Sequence, residues 1–95
     1  MILHIISKSP FSHSALSDAI PLINDNDSVI LIDDGVYAAA DNSQYSSELA
    51  LDKANWHALD CDIQTRGLTT SRIKTVTMKD FVNLTIKADK TISWY

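Results

Sequence analysis

The run Val29-Ile30-Leu31-Ile32 constrains this chain more than any other feature. Four β-branched or aliphatic residues in succession leave no polar alternation, so a strand built from them has both faces buried. Such a strand belongs in the interior of a mostly parallel sheet covered by helices. The run stops at Asp33-Asp34-Gly35, and the helix-prone segment VYAAA follows. A strand, a tight turn and a helix are predicted, with two carboxylates at the strand's carboxyl end. In open α/β sheets that edge collects ligands and chemistry.

The neighbouring segments extend the same alternation. Met1 to Ile6 reads as a first strand, and the opening MILHIISKSP resembles a strand more than a signal peptide. Ser9-Pro10 offers a cap and a pre-set first turn for a helix whose apolar face is Phe11, Ala15, Leu16, Ala19, Ile20 and Ile23, with Pro21 kinking or ending it. A helix is predicted over Ser43–Asp52, with Tyr45 and Leu49 one turn apart, and a strand over Asn55–Leu59. Asp60 is placed as the cap of a short helix reaching Arg66, stopped by Gly67 in a left-handed conformation. A brief strand follows at Thr75–Thr77. Thr77 and Asp80 have capping-box spacing and open a last helix whose shared face is Met78, Phe81, Val82 and Thr85/Ile86. Thr91 to Tyr95 is extended. Strands alternating with helices give one small domain over residues 1–95: an α/β three-layer sandwich around a mostly parallel sheet.

A chain of 95 residues buries roughly 60–65% of its unfolded surface, so its own stability is modest and partner subunits could add to it. No run approaches the ~20 apolar residues of a membrane span, and no membrane association is expected. The single cysteine, Cys61, excludes an internal disulfide framework and suits a reducing cytoplasm. A net charge of −4 with scattered Lys and Arg argues against direct nucleic-acid binding, which needs a basic face.

Three groups of residues could carry chemistry. Asp33 and Asp34 could bind a hard cation or move a proton. Adjacent strand residues point to opposite faces, however, and the structural reading, in which Asp34 caps the next helix, is preferred. Cys61 sits where a helix dipole would favour a thiolate, but Asp60 and Asp62 flank it and oppose that charge; it is a weak catalytic candidate. His4, His13 and His57 fall on three elements without metal-ligand spacing, and the hydroxyls of Ser12, Ser14 and Ser17 around His13 do not make a triad. No glycine-rich phosphate loop is present, and neither a cofactor nor a metal is expected. Trp56, Trp94 and Tyr95 could cover a subunit contact or fill the core, the C-terminal pair being the better interface candidates.

Taken in order, LHII, KSPF, SVILIDDGVYAA, LDCDIQTRGL, KDFVNLTIK and the terminal SWY resemble the TusB/DsrH family of sulfur-relay proteins over nearly the whole chain. The resemblance implies a DsrE-like α/β fold and a hetteromeric assembly, a heterohexamer, with TusC-like and TusD-like subunits and a TusE-like acceptor. In such a relay a persulfide sulfur passes between cysteines toward 2-thiolation of the wobble uridine of certain tRNAs; related DsrEFH complexes serve sulfur oxidation. Some relatives carry a cysteine in the first helix, where this chain has Ala19. An alanine cannot hold a persulfide, so the resemblance implies a structural subunit. Asp34, Gly35, Tyr37, Trp94 and Tyr95 are the interface candidates, and Cys61, on which the resemblance places no role, is the alternative sulfur carrier from its position after a strand and at a helix start.

Overall fold

All five strands run parallel in one sheet of order β4-β3-β2-β1-β5: β1 (Ile2–Ile6), β2 (Ser28–Leu31), β3 (Asn55–Leu59), β4 (Lys74–Val76) and β5 (Lys90–Trp94). The computed structural model describes every residue from Met1 to Tyr95. Val29 to Leu31 of the apolar run lie in the middle strand, and all four residues of β2 are buried, as an interior parallel strand requires, while Ile32 falls just past its end and is half-buried. His4 of β1 pairs in register with Val29 of β2 and Ile92 of β5, and Val29 in turn with Trp56 of β3.

The two faces of the sheet are covered unequally. Val29 and Leu31 point into the larger core, where they meet Ile6, Trp56 and Ala58 from other strands. Leu16 and Ala19 of α1 (Ala15–Ala19), Leu49 of α2 (Ser46–Leu51) and Ile63 of α3 (Asp60–Thr65) close that side. Ile30 points the other way into a small cluster with Leu3, Leu59 and Val76. There a single helix, α4 (Met78–Lys87), supplies the cover through Phe81 and Leu84.

Local signals explain the element boundaries. The capping box forms: Asp80 N–H donates to Thr77 Oγ1 at 3.1 Å, and Thr77 N–H donates to Asp80 Oδ2 at 3.1 Å. At the end of α3, Gly67 has φ +63° and its N–H donates to Gln64 O, while Leu68 N–H donates to Ile63 O. This double bond pattern is the Schellman stop, and it needs a residue that tolerates a left-handed backbone.

Four expectations are corrected. The first helix is shorter than its apolar spacing suggests: Ser9–His13 forms a separate turn, Phe11 is exposed, and only Ala15–Ala19 is α-helical. A 3₁₀ turn at Ile20–Leu22 accommodates Pro21. The helix after β2 is a seven-residue 3₁₀ segment, Asp33–Ala39, entered without any side-chain cap, so Asp34 does not cap it. Asp60 does not cap α3 either; it is the first helical residue and accepts a hydrogen bond from Gln64. On α4, Phe81 and Leu84 pack on the sheet, whereas Met78, Val82 and Ile86 face outward. The apolar arc of this helix is wider than one sheet contact can cover, and the large Phe81 ring settles inward because it buries more area.

Candidate functional site

The most elaborate polar arrangement lies at the carboxyl edge, where the loops leaving β2 and β3 run side by side. A 3₁₀ helix has three residues per turn, so positions three apart eclipse one another. Gly35 and Ala38 therefore share one inner row and Val36 and Ala39 another, and all four are buried. Asp34 and Tyr37 share the outer row. Arg66, in the last turn of the β3 branch, reaches both: Nε and Nη2 donate to Asp34 Oδ1 at 3.2 and 3.1 Å, and the guanidinium lies 6.0 Å above the Tyr37 ring centre. Partial burial works against this charge. The hydrogen bond and charge of Asp34, with Asp62 adding, outweigh that and hold the guanidinium above its ordinary range.

Asp62 braces the same corner. Its Oδ1 stands 3.5 Å from Arg66 Nη1, and its Oδ2 accepts the N–H of Asp33 at 2.8 Å. Asp33 has φ +47°, the only left-handed non-glycine backbone in the chain. That conformation is unfavourable for an L residue by about 1–2 kcal/mol. The turn it makes brings Gly35 against the end of β1, where an added Cβ would stand 2.2 Å from Ile6 O. Only glycine fits there. The paired carboxylates thus act separately: Asp34 anchors Arg66, and Asp33 is a strained turn residue with an exposed side chain.

Cys61 is exposed in the first turn of α3, one residue before this brace. Ala19 is fully buried on α1. The three histidines do not converge. His13 meets Ser12 Oγ, and half-buried His57 lies 3.2 Å from Val29 O. His4 is buried and sits between Asp27 Oδ2 at 3.0 Å and the Trp94 indole at 3.1 Å. Trp94 is thus half inside the chain, stacked on His4, while Tyr95 is exposed. Trp56 is a core residue, with its indole N–H donating to Asp52. A cavity of about 310 Å³ opens at the amino ends of β3 and β4 beside Trp56, Arg72 and Lys74, at the opposite end of the strands from the Arg66 cluster.

Arg66 and Asp62, which organise Asp33 and Asp34, were not among the candidate residues expected from the sequence. Their i,i+4 spacing was a usable signal. The link from Asp34 to Arg66, 32 residues on, becomes visible only when β2 and β3 are placed as neighbours.

Residues 8–91 match the family described as DsrH-like protein. The chain is 35% identical to Protein TusB of Enterobacter sp. and 33% identical to Protein TusB of Cronobacter sakazakii, each match covering 98% of this chain and 100% of the relative. Its fold is similar to that of the YchN protein of Escherichia coli, with a TM-score of 0.81, 17% identity and 97% of each chain covered. The α/β sandwich with a parallel sheet, expected from the sequence, is the fold observed.

Proposed function

Because this chain belongs to the DsrH-like family, we propose that it serves as a structural subunit of a cytoplasmic sulfur-relay complex supporting 2-thiolation of the tRNA wobble uridine. Its partners are TusC-like and TusD-like subunits in a hetero-oligomer, a heterohexamer by resemblance, delivering sulfur to a TusE-like acceptor. The observation that carries this reading is the carboxyl-edge corner. Strained Asp33, buried Gly35 and the Arg66 bridge to Asp34 and Tyr37 form a braced surface feature, with no nucleophile among them. Backbone strain kept in place by a dedicated brace is found at functional positions and supports a role for this corner in presenting Asp34 and Tyr37 to a neighbouring subunit, with Trp94 and Tyr95 at the end of β5 as a second contact.

A second reading is favoured by one observation: the Cys61 thiol is exposed beside that corner. In it, Cys61 accepts a sulfane sulfur as a persulfide and passes it on. Incubating the purified chain with a persulfide donor and measuring its intact mass separates the two. The structural-subunit reading expects no added sulfur on Cys61. Co-expression of the chain with TusC-like and TusD-like subunits, followed by native mass measurement, tests assembly. A stable mixed complex is expected, and failure to co-purify overturns the proposal.

A further inference from the structure

We infer that the outward face of α4 is a docking surface for a helix of a different, acidic α/β subunit. The inference rests on the assembly proposed above and gives it a surface. Met78, Val82 and Ile86 follow one another at four-residue intervals and are 54%, 50% and 75% exposed. Side chains so spaced are neighbours on a helix, forming one continuous ridge. The other large exposed apolar residues, such as Leu22 and Leu51, stand on separate elements. A ridge of this kind packs into the groove between the corresponding rows of a facing helix.

Charge selects the occupant. Residues 74–90 hold four lysines, Lys74, Lys79, Lys87 and Lys90, against two aspartates, while the first 73 residues hold ten carboxylates against four cations. Both aspartates of the basic stretch are engaged, Asp80 in the capping box and Asp89 with the N-terminal ammonium. Lys79 and Lys87 border the ridge near its two ends and take part in none of the chain's four ion pairs. A second copy docking antiparallel through this face, the arrangement that pairs the two ridges end to end, would set Lys79 of one copy against Lys87 of the other, and like charges across an interface are strongly disfavoured. A parallel copy would offer these lysines no carboxylate of α4, since Asp80 is held in the capping box. A helix with an apolar four-residue ridge bordered by carboxylates satisfies both features. The ridge is small beside the ~800 Å² per partner of a standard interface, so it forms the apolar centre of a larger contact.

The test uses the full chain co-expressed with its TusC-like and TusD-like subunits, comparing wild type with Val82→Glu/Ile86→Gln and with Lys79→Glu/Lys87→Glu. All four substitutions lie at exposed helix positions and use good helix formers, so the isolated variants should keep wild-type circular dichroism, with midpoints unchanged except for a small loss where Lys87 no longer supplies a cation to the last turn of α4. The ridge variant is expected to lose at least about tenfold of the co-purifying complex, a change of roughly 1.4 kcal/mol in association. The charge variant is expected to assemble more weakly, with less dependence on salt than wild type. If wild type assembles and both folded variants assemble equally well, the docking surface is overturned and the function proposed above stands. If wild type does not assemble, both fall. If the chain alone forms dimers that the ridge variant dissolves, the occupant is a second copy and the inference is overturned.

Discussion

The indole N–H of Trp94 donates to Nδ1 of His4 across 3.1 Å, joining the last residue of β5 to the middle of β1 at the edge of the larger core. An indole nitrogen can only donate, so Nδ1 accepts and the ring proton sits on Nε2, pointing at Asp27. Asp27 also accepts the N–H groups of Ile2 and Asn24. One carboxylate thereby ties the start of β1, the loop before β2 and, through His4, the chain's C-terminal strand.

Replacing Trp94 by Phe keeps most of the ring and removes the donor. Nδ1 of buried His4 then has no partner, and the expected loss is about 1–3 kcal/mol. Urea unfolding of W94F against wild type measures it. An unchanged midpoint would show that water replaces the indole.

Stability should fall in acid in two separate windows. Burial lowers the His57 imidazole below its ordinary value, Lys74 adding to the effect, although the contact with Val29 O opposes it. The unfolded chain therefore takes up this proton first. His57's contribution is complete above its unfolded value of about 6.5 and is lost as pH falls from there toward the folded value. For Asp27, burial alone would raise the carboxyl, but hydrogen bonds from Asn24, His4 and Ile2 outweigh it and hold the group low. Its contribution is present above the unfolded value of about 3.9 and disappears as pH falls through the folded one. Chemical denaturation across pH should show the upper window vanish in His57→Gln while the lower one persists.

Gly35→Ala should destabilise by about 3 kcal/mol, the upper part of the overpacking range, because the new methyl meets the fixed carbonyl of Ile6 rather than a movable side chain. Gly67→Ala meets no neighbouring atom and carries only the left-handed backbone cost, about 1 kcal/mol. The ranking of the two midpoints checks the account, and equal losses would contradict it.

Asp33→Gly relieves the left-handed strain and should leave the chain as stable or about 1 kcal/mol more stable. Asp62→Ala removes the brace on the Asp33 N–H and should cost about 1 kcal/mol, discounted because the corner is partly solvated. If the corner is a subunit contact, D62A should weaken assembly more than its modest stability loss explains.

Much of the architecture could be read from the chain because local signals and tertiary demands agree. Val29 to Leu31 is apolar and central, Thr77 and Asp80 cap, and Gly67 stops a helix. The rest was decided by contacts distant in sequence. Asp34 looked like a cap because nothing local reveals that Arg66 will take it. Val82 and Ile86 were grouped on one face with Phe81 because periodicity shows how wide an apolar arc is, but not how much of it the sheet covers. The Trp94–His4–Asp27 chain was hidden for the same reason, since parallel registry alone brings β5 beside β1.

The central claim is that this chain supports sulfur transfer without carrying the sulfur itself. It is tested most directly by measuring 2-thiouridine at the tRNA wobble position in a strain lacking this chain's gene, complemented with wild type or with Cys61→Ser. The account expects thiolation to be lost on deletion and restored equally by both forms. Restoration by wild type alone, with folded C61S inactive, would contradict it.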